Sequence, residues 1–345
     1  MKHRYTHFIP QNIAPPDAKS IGVYDASGKH ITSIPLGRLK PPTKAKLYSF
    51  GLVSDIHLWK AVSSWNGNEK FDNALTYFES NNCAFCVVSG DLTQSGLYYS
   101  PDDTSANAYL EETQFDKYRE ICDEHTIPVY ELMGNHESYY AKPISNNLNL
   151  MQSYTGNSAL SYTITQGNDL FILCGQPTDT VVMSDADFTW LGNTLEANKD
   201  KRCFVFIHSH IDDNVEGGVE DSGNPSFARE NSIFGYWGSA KTANFINLMK
   251  QYPNTILFHG HTHIKFEAQQ YDDQANYSEE NGFKSVHIPS LGWPRELLSS
   301  DGTWEGKHLE SQGYVVDVYD DCIVLNGMDF INNQPIPLGT FKIDT

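Results

Sequence analysis

Short apolar runs, rich in β-branched residues, recur along the chain, and each is followed by glycine or polar side chains. This pattern is typical of strands that are buried inside a sheet. We predict such strands at residues 47–53, 86–90, 128–133, 202–207 and 255–258, and a strand pair at 159–165 and 170–174.

Helical periods lie between these runs. In residues 185–198, Phe188, Leu191 and Leu195 repeat at helical spacing, and Ser184 or Asp185 can cap the first turn. Further helices are predicted at 71–82, 112–125 and 240–251. Because strands and helices alternate, we expect an α/β fold.

The two ends of the chain depart from this alternation. Residues 1–45 are rich in proline and polar side chains, and they predict an N-terminal arm with a small hairpin at 21–24 and 31–36. The C-terminal part, about 285–345, is rich in strands. The simplest division is this arm and one main domain over 46–345.

Metal-ligand residue types follow the predicted strands. In open α/β sheets, ligands bind at the carboxyl ends of strands. Alternation along an extended chain would place Asp55 and His57 on the same side. Four strand ends hold seven of the thirteen histidines. Alone, each segment fits a turn or a cap equally well; together they favour a site. His, Asp and Asn are borderline-to-hard ligands, which suit Mn, Fe, Zn or Co and do not suit thiolate chemistry.

The charge balance narrows the partners. The 345 residues carry 24 basic and 43 acidic side chains, a formal net charge of −19. Such a surface repels phosphate backbones and anionic lipid, so nucleic acid and membrane partners are disfavoured. Bound metal could supply the positive centre that a small anionic substrate needs.

No targeting segment is visible. No apolar run reaches the roughly 20 residues of a membrane span, and no apolar stretch of a signal peptide follows the basic N-terminus. Most of the six cysteines lie in apolar runs, as buried thiols do. Cys83 and Cys86 form a C-x-x-C without a second half, and we interpret them as structural. These features predict a reducing, cytoplasmic location.

Five blocks occur in one order: Asp55-Ile56-His57, Gly90-Asp91, Gly134-Asn135-His136-Glu137, His208 and Gly260-His261-Thr262-His263. Over about residues 55–263, the chain resembles the calcineurin-like metallophosphoesterases. Its short blocks look most like the bacterial cyclic-nucleotide phosphodiesterase branch. The resemblance implies a four-layer sandwich, in which two facing mixed β-sheets are flanked by helices.

The resemblance also implies a role for each residue. Asp55, His57 and His263 would hold one metal ion, Asn135, His208 and His261 would hold the other, and Asp91 would bridge them. The ions would be Mn, Fe, Zn or a mixed pair. A hydroxide between them would attack phosphorus in line, and His136 would assist the leaving group.

One position departs from the family pattern, and three others remain open to two interpretations. Gln94 stands where many relatives carry an Asp that braces the catalytic histidine, and where purple acid phosphatases carry a Tyr ligand. A Gln can orient an imidazole but cannot raise its pKa by charge. His210 could line the phosphate pocket or lie in a turn, and His259 could support a ligand or belong to the core. Arg295 could bind the substrate or form a surface salt bridge.

The favoured function is a dinuclear-metal-dependent phosphohydrolase that acts on a small phosphorylated substrate such as a nucleotide. A phosphodiesterase is preferred to a phosphomonoesterase or nucleotidase. The alternative from another class is an inactive metal-bound interaction module, which the intact ligand set disfavours. A nuclease is disfavoured by the acidic balance. The long loop 211–238 is interpreted as a lid, or as a loop that packs on the sheet.

Overall fold

The computed structural model describes residues 20–24, 27, 30–35, 42–58, 67–94, 111–137, 145–157, 159–175, 183–209, 238–270, 275–279, 281–297, 304–307 and 309–345. The α-helices in these residues, labelled α1 to α5, are Gly67–Ser80, Glu111–Glu124, Ser145–Thr155, Asp185–Ala197 and Gly238–Met249. The strands, labelled β1 to β17, are Ser20–Tyr24, His30–Pro35, Lys46–Val53, Cys86–Ser89, Val129–Leu132, Tyr162–Gln166, Asp169–Leu173, Cys203–Phe206, Thr255–His259, Tyr277–Ser278, Lys284–His287, Arg295–Leu297, Trp304–Gly306, Gln312–Tyr319, Cys322–Asp329, Gln334–Pro335 and Phe341–Asp344.

Two large mixed sheets form the frame. The first has the order β16-β15-β14-β3-β4-β5, with β17 also paired to β15. Strands β3, β4 and β5 are parallel to one another, and β14 joins β3 antiparallel. The second sheet has the order β10-β11-β9-β8-β7-β6, with β11, β9, β8 and β7 parallel. Parallel strands therefore end at the same edge within each sheet.

The central core lies between the two sheets. Phe50 and Leu52 of β3 pack in one apolar cluster with Phe171, Phe204 and Phe206 of the second sheet. The alternate residues of these strands face outward, and they are buried as well. Strands that are buried on both faces read as continuous apolar runs, which is the pattern seen in the sequence.

Helices cover the outer faces. Phe71 and Phe78 of α1 and Phe115 of α2 pack on the first sheet. Leu191 of α4 and Phe245 of α5 pack on the second. The predicted sandwich of two mixed sheets flanked by helices is confirmed.

The main predicted elements are present, with shifted ends. The helix predicted at 71–82 begins earlier, at Gly67, and Ser184 caps α4 by accepting a hydrogen bond from the amide of Asp187, at 3.1 Å. The strand pair is β6 and β7, and the N-terminal hairpin is β1 and β2, both antiparallel. Helix α3 and strands β10, β12, β13, β16 and β17 were not predicted. They are short or weakly periodic, so local pattern does not reveal them.

All six cysteines are free thiols. Among the described residues, none of the helices is both long and apolar enough to cross a bilayer.

Candidate metal centre

The proposed ligands all follow parallel strands. Asp55 and His57 come after β3, Asp91 after β4 and Asn135 after β5, all in the first sheet; His208 follows β8 and His261 and His263 follow β9, in the second. Two backbone hydrogen bonds align neighbouring strand ends, from the Asp55 amide to the Gly90 carbonyl and from the Gly260 amide to the His208 carbonyl. All seven side chains are buried.

One group of ligand atoms gathers around Asp55. Its Oδ1 lies 3.1 Å from Nε2 of His263, and that nitrogen lies 3.0 Å from Nε2 of His57. Oδ2 of Asp91 lies 3.8 Å from Nε2 of His57. Ligand atoms of these four residues all lie within 4.8 Å of one another, so they could hold a metal ion.

A second group gathers around His208. Its Nε2 lies 3.1 Å from Oδ2 of Asp91, 3.0 Å from Oδ1 of Asn135 and 3.3 Å from Nδ1 of His261. Asp91, His208 and His261 also have ligand atoms within 4.8 Å of one another. Asp91 therefore belongs to both groups.

The residues fit a pair of cations. Ligands about 2.1 Å from one ion and at right angles to each other lie roughly 3.0 Å apart. The spacings above are close to this value, apart from the 3.8 Å between Asp91 and His57. Oδ1 of Asp55 and Oδ2 of Asp91 are buried and make no hydrogen bond within the described part of the chain. Buried carboxylate oxygens without donors are costly, and a cation removes that cost.

The backbone of the ligands is strained. Among the described residues, seven that are not glycine have positive φ, and five of them are proposed ligands: Asp55 at 53°, His57 at 51°, Asp91 at 51°, His261 at 74° and His263 at 64°. Each such residue costs roughly 1–3 kcal/mol. The expectation that Asp55 and His57 share a side of an extended strand was wrong. Both residues lie beyond the end of β3, and both have left-handed backbone conformations. Their side chains converge nevertheless.

Two glycines leave room for the carboxylates. A Cβ at Gly134 would lie 2.1 Å from Oδ1 of Asp91, and one at Gly260 would lie 2.6 Å from Oδ2 of Asp55. Any side chain at these positions would displace a proposed ligand.

Main-chain carbonyls orient two histidines. Nδ1 of His208 lies 2.8 Å from the Ser89 carbonyl, and Nδ1 of His263 lies 3.1 Å from the Trp293 carbonyl. A carbonyl only accepts, so Nδ1 carries the proton in both rings. Nε2 is then left to face the cluster, as metal-bound imidazoles require.

The electrostatics favour ionised carboxylates. Burial opposes the charge of Asp55 and Asp91, but the surrounding histidines outweigh it and lower the pKa of both. Burial lowers the pKa of His57. The pKa of His208 rises to about 10, because Asp91 and Asp55 outweigh its burial. The cluster therefore holds two carboxylates that attract positive charge, whether it comes from protons or from metal ions.

His136 faces the cluster without joining either group. Its Nε2 lies 3.8 Å from Oδ2 of Asp91, and its Nδ1 lies 3.1 Å from the main-chain carbonyl of Gln94. The carbonyl, and not the side chain, thus orients the ring. Oδ1 of Asp91 accepts from the His136 amide at 2.9 Å. Burial outweighs the opposing effects of Asp91 and the Gln94 contact, and it lowers the pKa of His136.

Glu137 had no predicted role. It is fully buried, and it accepts hydrogen bonds from the amides of Gly134, Thr93 and Asp91 at 2.8, 2.9 and 3.1 Å. It therefore joins the loops that follow β4 and β5. Burial, with Asp91, raises its pKa to about 7. Its position directly after Asn135 and His136 was the available signal.

The remaining predicted residues fall in different places. The Arg295 guanidinium carbon lies 5.2 Å from the Trp293 ring, and that ring lies 5.7 Å from the His263 ring. His259 is fully buried, with its ring 5.6 Å from that of His287. His210 and residues 211–237 lie outside the described residues, so the lid hypothesis stays a prediction.

Comparisons with known proteins bear on the class. A family model described as calcineurin-like phosphoesterase matches residues 48–265. No curated protein matches the sequence. A dimetal phosphatase from Danio rerio has a TM-score of 0.55 at 14% identity, over 85% of this chain and 99% of that chain. A purple acid phosphatase from yellow lupin (Lupinus luteus) seeds also gives 0.55 at 14% identity, over 94% of this chain and 59% of that chain. These two likenesses show a shared fold.

The family match covers more than half of the chain, and the chain belongs to the calcineurin-like phosphoesterases. With this family and the site described above, the protein is a metal-dependent phosphoesterase.

Proposed function

We propose that the protein is a dinuclear-metal phosphodiesterase that acts on a small phosphorylated substrate. Asp55, His57 and His263 hold one ion, and Asn135, His208 and His261 hold the other. The observation that carries the proposal is the place of Asp91, whose Oδ2 lies 3.8 Å from Nε2 of His57 and 3.1 Å from Nε2 of His208. One carboxylate can therefore serve both ions.

In the proposed reaction, the ions and the protein side chains have different roles. When bound, such a pair offsets the charge of a phosphate ester and lowers the pKa of water. His136 supports the leaving group. With its Nδ1 proton held by the Gln94 carbonyl, Nε2 is the atom that would take up a proton from water and pass it to the departing oxygen. Glu137 holds the loops of Asp91 and Asn135 in register, and the buried cluster limits access of bulk water.

Arg295 is the proposed substrate contact. Its guanidinium packs on Trp293, which in turn packs against His263. A guanidinium that is separated from a proposed metal ligand by one aromatic ring can bind an anionic group of the substrate beyond the scissile phosphate. In a chain with a net charge of −19, this local positive charge favours small anionic substrates over polyanions.

The test is a metal-supplemented substrate comparison. The protein is freed of metal by a chelator, reloaded with Mn, Fe or Zn, and assayed on an aryl phosphodiester and the matched aryl phosphomonoester. We expect faster turnover of the diester and none in Asp91→Ala. A preference for the monoester would identify a phosphomonoesterase. Two bound ions without turnover of either ester would identify an inactive metal-binding module.

A further inference from the structure

Lys70 of α1 is a buried lysine. Its residue exposure is 0%, and within the described part of the chain its ammonium makes one hydrogen bond, 2.6 Å long, to the carbonyl of Gly292. Burial lowers the pKa of Lys70 to about 8. Burying an ammonium without a carboxylate partner is costly, and an apolar side chain of similar size would pack there more cheaply. The single bond to Gly292 is therefore the feature to explain.

Gly292 lies against the first pair of proposed ligands. Its amide donates to the Asp55 carbonyl at 2.9 Å, and a Cβ at Gly292 would lie 2.0 Å from the carbonyl oxygen of Ile56. On the α1 side, a Cβ at Gly67 would lie 2.5 Å from the same oxygen. Helix α1 and Gly292 thus both pack against the carbonyl of Ile56, which lies between Asp55 and His57 in the chain. The hydrogen bond of Lys70 links the helix to Gly292.

The loop 290–293 carries this contact to a third ligand. The Trp293 carbonyl accepts from Nδ1 of His263 at 3.1 Å. The Ser290 hydroxyl donates to the Asp55 carbonyl at 2.9 Å and accepts from the Trp293 amide at 2.8 Å. A shift of the Gly292 carbonyl moves the adjoining Trp293 peptide, and with it the acceptor that orients His263. The contacts of this loop fall on the group of Asp55 and His263.

We propose that Lys70 is a positioning residue for one of the two metal ions, the one assigned to Asp55, His57 and His263, and that it acts through the Gly292 carbonyl. The inference rests on the ligand assignment in the proposed function. Residues that orient metal ligands from behind typically change metal affinity by roughly 10- to 100-fold. Here that change is selective for one ion.

The experiment is a manganese titration of the full chain. Metal-free wild type and Lys70→Met are titrated with Mn²⁺ alone, with bound metal measured by elemental analysis and pairing of the ions by electron paramagnetic resonance. We expect wild type to bind two ions as a coupled pair. We expect Lys70→Met to bind one ion normally and the other roughly 10- to 100-fold more weakly. If Lys70→Met binds both ions with wild-type affinity, or loses affinity equally for both, the inference is overturned.

Two combinations identify the weakened ion. Lys70→Met with His208→Ala should lose one ion and bind the other roughly 10- to 100-fold more weakly than His208→Ala does. Lys70→Met with His263→Ala should lose no more than His263→Ala alone. The reverse result contradicts the assignment. Lys70→Arg keeps a charged donor, and it should restore much of the affinity. If Lys70→Met does not fold, Lys70→Gln, whose amide is too short to reach as far, replaces it under the same criteria.

Leu75→Ala is the matched control. Leu75 is a fully buried residue of α1, and its truncation loosens the helix without removing the bond to Gly292. It should lower thermal stability and leave both ions bound. The same selective loss in Leu75→Ala would show that any weakening of α1 has this effect, and that Lys70 has no special role. A wild type that binds fewer than two ions contradicts the proposed function instead.

Discussion

The two edges of the sandwich bury charge in opposite ways. At the edge where the parallel strands begin, Arg202 donates two hydrogen bonds to Asp169, at 2.9 and 2.6 Å, and Tyr48 donates a third at 2.5 Å. Arg202 also donates to the Tyr319 carbonyl and the Thr345 hydroxyl. Tyr48 and Asp169 come from different sheets, so this cluster ties the sheets together. Asp169 is buried and Arg202 is partly buried, with side-chain exposures of 6% and 10%, and each is matched by donors or acceptors.

At the edge where the parallel strands end, the buried charges are not matched in this way. Asp55 and Asp91 each keep an oxygen without a hydrogen bond in the described part of the chain, and five proposed ligands have positive φ. The difference shows that unmatched, strained polar groups locate chemistry better than buried charge does.

Removing one carboxylate at each edge should have different effects. At the metal edge the protein should lose bound metal and turnover, and at the other edge it should lose stability. Asp91→Ala should lose most bound metal and nearly all turnover, a loss of more than about 10³-fold that exceeds the usual loss of a single transition-state donor. Asp169→Ala leaves Arg202 without its partner, and it should cost about 3–5 kcal/mol of unfolding free energy. Metal analysis, turnover and denaturant unfolding measure both variants.

The comparison fails if the losses do not separate. Full metal occupancy with a normal rate in Asp91→Ala would contradict the two-ion assignment. Loss of metal in folded Asp169→Ala would show that the two edges are coupled, and that the Arg202 cluster serves the site.

A smaller change separates metal binding from proton transfer within the metal edge. His136→Ala should keep both ions, because His136 belongs to neither ligand group. Turnover should fall by roughly 10²–10⁴-fold on esters with poor leaving groups, and less on activated aryl esters that need no proton. A series of esters with graded leaving-group pKa measures this. An equal loss across the series would leave His136 a positioning group only.

The smallest effect is expected at a charge cluster on the helical layer, away from both edges. Nδ1 of His125 lies 3.1 Å from Glu79, and its Nε2 lies 3.0 Å from Asp72. Burial opposes the charge of His125, but the hydrogen bonds to Glu79 and Asp72 outweigh it and raise its pKa. The carboxylates are partly exposed, so the cluster should contribute about 1 kcal/mol or less.

The sign of the pH dependence follows from the raised pKa. The His125 contribution is fully present below the ordinary histidine pKa of about 6.5, and it is lost as pH rises through the raised value. Unfolding of wild type and His125→Gln, measured from pH 5 to pH 9, should differ most at the acidic end. A difference that grows with pH would contradict a charged His125.

The sequence predicted the placement of the site better than its detail. Apolar runs that end in Asp55, Asp91, His208 and His261 revealed the strand ends, because strands buried on both faces have a clear pattern. The left-handed conformations of the ligands were not predictable, since side chains other than glycine rarely adopt them. Nothing in the local pattern marks them.

Long-range contacts account for the other omissions. Lys70 and Gly292 are 222 residues apart, and Glu137 lies 46 residues from Asp91. Neither pairing has a signature in one sequence. The sequence analysis considered only the side chain of Gln94, whereas its carbonyl holds His136, and any residue could supply a carbonyl. Local pattern thus indicates candidate ligands, and the fold shows which groups hold them in place.

The separation of the ligands along the chain has a consequence for how the protein matures. Nε2 of His57 and Nε2 of His263 lie 3.0 Å apart in space, but 206 residues of chain separate them, and they come from different sheets. Contacts of such high order form late and slowly during folding. Tight cation uptake should therefore begin only after the two sheets dock. The start of metal binding during refolding should then mark the moment at which the two sheets come together.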